Sequence, residues 1–192
     1  MSYGSALLGV PRSTNQFDDV VGLGDACPYW CAPGLPPPVT RLREQGSNCA
    51  GLINLMLRAT ERDPTVVCRY AVECGEPPLG DTRNWFSYLT HRSCLDVFCE
   101  AETYPAGTLL LRDYNERDGG HLAVVFAPRP NLSILHARVL HSVGWNDGGA
   151  MGVRIDEGVG KSHFHQYNGG CNRGHYTHVC APHDWLLKDD PR

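Results

Sequence analysis

One segment constrains everything that can surround it. From Cys49 to Thr60 the apolar residues Leu52, Ile53, Leu55, Met56, Leu57 and Ala59 cover most of the circumference of a helix. A helix apolar nearly all the way round has to be enclosed by other elements. Ser47 and Asn48 offer a cap at its start, and Pro64 supplies a stop beyond its end. The chain has 192 residues, and a chain of this size buries roughly 70% of its unfolded surface. It can therefore enclose such a helix without a disulfide or structural metal, and its length argues for a single domain over residues 1–192.

The pattern changes along the chain. Asn15 to Leu23 reads as a short helix, and Gly24 to Val39, with Pro33, Pro36, Pro37 and Pro38, as an irregular connection. Asp81 is placed to cap a second, shorter helix through Trp85, Phe86 and Leu89, whose aromatic residues read as core. After Pro105-Ala106-Gly107 short β-rich runs take over: Thr108–Arg112, His121–Ala127, Ile134–Ser142, Met151–Ile155 and Tyr176–Cys180. Helices first and strands afterwards predict an α+β domain.

Charge and hydropathy remove several function classes. Seventeen Lys and Arg against 21 Asp and Glu give a net charge of −4, with no basic stripe to follow a phosphate backbone, so nucleic acid is not the expected partner. No run nears the roughly 18 to 20 apolar residues of a membrane helix, which argues against membrane insertion. The first dozen residues lack a secretory pattern. A cytoplasmic, virion-associated or separately delivered protein is expected, and nothing in the sequence chooses among these.

Nine cysteines leave at least one thiol outside any intramolecular pairing. Cys49 opens the buried helix, where the helix dipole and the first-turn N–H groups favour a thiolate and can cradle an oxyanion. His121 follows Gly119-Gly120 and opens the run Leu-Ala-Val-Val-Phe, so it should stand at the first residue of a central strand, placed to act as a base. A third polar group must hold that imidazole in the right tautomer. His136 and His141, five residues apart on a predicted strand, point to opposite faces, so only one of them can serve.

These residues carry a resemblance. Asn48-Cys49-Ala50-Gly51-Leu52-Ile53 resembles the Asp-Cys-Ser-Gly-Leu-Val motif of NlpC/P60 cysteine peptidases, with Asn and Ala standing where that family has Asp and Ser. Cys27-Pro28-Tyr29-Trp30 is similar to the family's Pro-Tyr segment, Tyr104 to Leu111 to its Pro-Gly turn and strand, and Gly120 to Val125 to its Gly-His strand. Val139-Leu140-His141-Ser142 followed by Gly152 to Ile155 resembles the segment bearing the third catalytic residue, and Tyr176 to Val179 with Asp184-Trp185-Leu186 the closing strand. The ordered series covers roughly residues 20 to 187.

The resemblance implies a papain-like fold, with the nucleophile helix packed on a C-terminal antiparallel sheet. It implies Cys49 as nucleophile, His121 as base, His141 (or its competitor His136) as the orienting residue, and Tyr29 with the Cys49 N–H at the oxyanion. It also implies a peptide or peptidoglycan-like substrate, hydrolysed through an acyl-enzyme without metal or cofactor. The order Cys49 before His121 sets the chain apart from lipid-acting acyltransferases and thioesterases of the superfamily, which place the histidine first. A non-catalytic binding module, with zinc as one version, is the other reading.

Other features read as structural. His163, His165, His175, His178 and His183 with Cys171 and Cys180 crowd the C-terminal 30 residues, but their spacing fits no compact zinc signature. Cys27 and Cys31 read as unpaired buried thiols, and Asp113, Glu116 and Asp118 as a solvated turn before His121.

Overall fold

A computed structural model describes residues 3–12, 29–99, 101–112, 120–129, 131–143, 152–158 and 177–186. The expected helix over Asn15–Leu23 and the acidic turn at Asp113, Glu116 and Asp118 lie outside them, as do Cys27, His163, His165, Cys171 and His175. Among the described residues the protein is α+β. Its helices are α1 (Tyr3–Ala6), α2 (Val39–Gln45), α3 (Cys49–Ala59), α4 (Thr65–Glu73), α5 (Thr82–His91) and α6 (Pro182–Trp185), with a 3-10 turn at Ile134–His136. The strands β1 (Asp96–Val97), β2 (Leu109–Arg112), β3 (His121–Ala127), β4 (Arg138–Val143), β5 (Gly152–Asp156) and β6 (His178–Cys180) form one antiparallel sheet in the order β1-β6-β2-β3-β4-β5. The last strand is thus inserted between the first two. The chain divides into two compact units, Met1–Tyr88 with His141–Arg154 and Leu89–Leu140 with Ile155–Arg192.

The first unit is built around α3. Ala50 to Leu55, Leu57 and Arg58 are all buried, as an apolar circumference requires. Asn48 in extended conformation caps the helix, its Oδ1 accepting from the Gly51 N–H at 2.7 Å. The helix closes at Ala59, earlier than Pro64 would dictate. The Thr60 hydroxyl donates to the Leu57 carbonyl at 2.8 Å, and Glu61 turns into the left-handed region at φ 59°. Pro64 instead stands immediately before α4 as its N-cap residue, where proline's missing N–H costs nothing.

The N-terminal segment is stitched into this unit by backbone hydrogen bonds. Gly9 N–H donates to the Val153 carbonyl at 2.9 Å, Val153 N–H to the Val10 carbonyl at 2.8 Å, and Ser47 N–H to the Pro11 carbonyl at 2.9 Å. Gly152 (φ 121°) permits this approach, since a Cβ there would run into the Val10 carbonyl.

The second unit centres on Leu110, Ala123, Val125, Ile134, Ala137, Val139 and Val179, with Phe98 and Tyr104 packed against them. Pro105-Ala106-Gly107 makes the expected turn, with Gly107 at φ 87° and its N–H donating to the Val125 carbonyl at 2.8 Å. β2 pairs with β3 from Leu109↔Val124 to Arg112↔His121.

Several elements differ from the sequence expectation, which placed no helix at α1, α2, α4 or α6. Ile134–Ser142 is not one strand: Ile134–His136 forms a 3-10 turn, and β4 runs from Arg138 to Val143. The short pair Asp96–Val97, too brief to carry a periodic signal, adds an edge strand against β6. The aromatic residues of α5 follow the core reading, with Trp85 and Tyr88 buried and Phe86 half-buried.

Candidate active site

Cys49 is the first residue of α3, half-buried between the buried Asn48 and Ala50. Its sulfur lies 3.5 Å from the Thr82 hydroxyl. Thr82 is in turn the first residue of α5, whose opening turn is capped by Asp81 Oδ1 accepting from the Asn84 N–H at 2.9 Å. The starts of two helices therefore meet at the thiol, both presenting the positive end of a helix dipole. Burial pushes the Asp81 carboxyl above its ordinary range, against the backbone hydrogen bonds from Asn84 and Arg83 and the Arg83 charge, which act the other way.

The segment before α2 is held to α3 by two polar side chains one turn apart. Asn54, fully buried, donates from Nδ2 to the Tyr29 carbonyl and, at 3.0 Å, to the Gly80 carbonyl, while its Oδ1 accepts from Trp85 Nε1 at 2.9 Å. Arg58, also buried, donates from Nε to the Gly34 carbonyl at 3.1 Å and from Nη2 to the Leu35 carbonyl at 2.6 Å. Tyr29 is thereby anchored through its backbone. Trp30 beside it adopts φ 48°, unusual for a bulky residue, and donates from Nε1 to the Gly46 carbonyl at 3.0 Å. A Cβ on Gly80 (φ 66°) would stand 2.5 Å from Cys31 Cβ and 3.2 Å from Asn54 Nδ2, so only glycine fits between them.

Cys31 is bonded to Cys68 of α4. This corrects the expectation of an unpaired buried thiol: the partner lies 37 residues away, where local spacing such as Cys27-x3-Cys31 carries no information about it.

The predicted histidines fall in different places. His141, with no exposed surface, sits in β4 within the first unit, and the Ser142 hydroxyl beside it donates to the Ser47 carbonyl at 3.1 Å. Strand alternation sends the His141 side chain to the other face of β4 from that hydroxyl. His121 belongs to the second unit, where it is the first residue of β3, 3% exposed and in register with Arg112. His136 is exposed on the 3-10 turn, so it does not share a strand with His141.

Sequence reasoning missed Thr82, Asn54 and Arg58. The last two had a signal, a polar pair at i, i+4 in an otherwise apolar helix; Thr82 reaches Cys49 from 33 residues away and had none. Among the described residues no group of three or more His, Cys, Asp or Glu side chains is arranged to hold a metal, and no helix is long and apolar enough to cross a membrane.

No protein-family model, curated protein or solved structure matches the chain. What the site does is therefore argued from its own residues.

Proposed function

We propose that this protein is a cysteine hydrolase of amide bonds, a peptidase or amidase with a papain-like arrangement of the NlpC/P60 kind. The single observation that carries the reading is Cys49. It is the one half-buried residue in the run Gly46 to Leu55 and opens a capped, buried helix, with a hydroxyl 3.5 Å from its sulfur. A thiol so placed meets two requirements of a nucleophile, access from solvent and nearby dipoles that favour negative charge.

In the proposed reaction the Cys49 thiolate attacks the amide carbonyl carbon, and the C=O electrons move onto oxygen. N–H groups at the start of α3, with Tyr29, receive that charge. Collapse breaks the C–N bond, with the leaving amine taking a proton from the His121 imidazolium. His121 then accepts a proton from water, whose oxygen attacks the thioester carbon; the C–S bond breaks, the carboxylic acid product leaves, and His121 returns the proton to the Cys49 sulfur. His141 orients His121 in this scheme. It is buried, as residues that orient an imidazole commonly are, whereas His136 is exposed. The NlpC/P60-like motifs point to peptidoglycan-type peptides as the substrate class. No metal or cofactor enters any step.

The test needs no substrate to begin. Native protein is alkylated with iodoacetamide from pH 4 to 9 and the modified residues are mapped by mass spectrometry. The expected result is alkylation of Cys49 ahead of Cys74, the exposed thiol among the described residues, slowed in His121→Ala. Peptidoglycan peptides are then cleaved by the wild type, and turnover is lost in Cys49→Ala and His121→Ala with the fold unchanged. A Cys49 that reacts no faster than Cys74 and a Cys49→Ala variant that still cleaves would each overturn the reading.

A further inference from the structure

The Thr82 hydroxyl is spared the duty that usually keeps a threonine at the start of a helix. Asp81 caps α5 in its place, with Oδ1 accepting from the Asn84 N–H at 2.9 Å. Thr82 is only 5% exposed, and a buried hydroxyl requires a hydrogen-bond partner. Among the described residues that partner is the Cys49 sulfur, 3.5 Å away.

The surrounding side chains fix the hydroxyl at this point. The buried Asn84 accepts from the Leu79 and Gly80 N–H groups at 2.8 Å each, which closes the turn before α5. Asn54 of α3 donates to the Gly80 carbonyl at 3.0 Å on one side of Thr82 and accepts from Trp85 Nε1 at 2.9 Å on the other. Cys49 and Asn54 belong to the same helix, so the side chain that holds Thr82 in place and the sulfur that Thr82 meets share one element. All of these residues lie in the first unit.

We propose that Thr82 is a further catalytic residue, its hydroxyl donating to the Cys49 sulfur whenever that sulfur carries negative charge. The inference rests on the reading of Cys49 as the nucleophile. While the thiol is neutral either group can donate; a thiolate has no hydrogen to give, so the hydroxyl must. A charge-assisted bond of this kind favours thiolate over thiol. As a sulfur lone pair forms the C–S bond of the acyl-enzyme, negative charge passes to the carbonyl oxygen and the bond from Thr82 weakens. When the attack of water breaks the C–S bond, charge returns to the sulfur and the hydroxyl meets it again. Thr82 keeps its proton throughout, and His121 alone carries protons in the scheme.

The experiment follows alkylation of Cys49 by iodoacetamide from pH 4 to 10 in the full chain, mapped by mass spectrometry, for wild type, Thr82→Val and Thr82→Ser. Thr82→Val should raise the pH of half-maximal rate by about one unit, the effect of losing one hydrogen bond to a charged group. A thiolate without that bond is the better nucleophile, with a Brønsted slope of about 0.4 to 0.5. The variant should therefore react about threefold slower below both midpoints and reach a plateau about threefold higher. Thr82→Ser keeps the hydroxyl and should keep the wild-type curve. A side chain that only packs against Cys49 would change the height of the curve without moving its midpoint. The same shift is expected between His121→Ala and His121→Ala/Thr82→Val, which separates the hydroxyl from the imidazole. If Thr82→Val fails to fold, Thr82→Ala against Thr82→Ser decides. A chain that shows the shift yet cleaves no peptide loses the hydrolase reading and keeps the bond from Thr82 to the thiolate. An unmoved midpoint in Thr82→Val, or one that moves as far in Thr82→Ser, would overturn the proposal and leave the hydrolase reading in place.

Discussion

The Ser142 hydroxyl donates to the Ser47 carbonyl at 3.1 Å, tying β4 to the residue two positions before Cys49 across 95 residues of sequence. Both residues are buried, so the carbonyl has no ready access to water if the donor is removed. Ser142→Ala is expected to lower stability by about 1 to 2 kcal/mol, read as a shift of the urea midpoint at unchanged slope. A variant within about 0.3 kcal/mol of wild type would mean that the bond contributes nothing net.

Asn54 has a larger expected effect because one side chain serves three buried groups, the Tyr29 and Gly80 carbonyls and the Trp85 indole N–H. Asn54→Leu keeps the γ-branched outline and leaves all three without that partner. The expected cost is about 3 kcal/mol or more, against less than about 1.5 for Met56→Leu on the same helix. Equal losses for the two variants would show that the amide is packing rather than a tie.

Much of this could be read from sequence, and the parts that could not share a physical cause. α3, its Asn48 cap, the Asp81 cap of α5 and the start of β3 at His121 each arise from residues within a few positions of one another, and periodicity and capping rules capture such local causes. The Cys49–Thr82, Ser47–Ser142 and Cys31–Cys68 relationships are long-range, set by how elements pack, and no local pattern encodes them. Ile134–Ser142 failed for a related reason: its apolar alternation is shared by a 3-10 turn and a strand, and only Ala137, extended between them, separates the two.

The Cys31–Cys68 bond closes a loop of 37 residues. By loop-closure entropy such a cross-link disfavours the unfolded chain by about 4 kcal/mol, with measured cases commonly at 2 to 4. The double variant Cys31→Ala/Cys68→Ala should therefore melt several degrees lower. Wild type in dithiothreitol should approach the same midpoint, while dithiothreitol leaves the double variant unchanged. A reductant-insensitive wild type with intact thiol titration at both positions would contradict the bond.

Asp81 gives a prediction whose sign depends on pH. Its carboxyl is raised in the folded protein, chiefly by burial, so the folded state holds the proton more tightly than the unfolded chain, whose carboxyl titrates near 3.9. The favourable contribution is complete below that value and is lost as pH rises through the folded pKa. Asn caps a helix about as well as Asp and carries no charge to bury. Asp81→Asn should therefore match wild type near pH 3 and exceed it at pH 7, the gap opening across the carboxylate range and then holding constant. Urea midpoints for the two proteins at pH 3, 5 and 7 measure this. A variant less stable than wild type at pH 7 would show instead that the Asp81 charge, placed at the start of α5 beside Arg83, gains more from the helix dipole and that neighbour than it loses by burial.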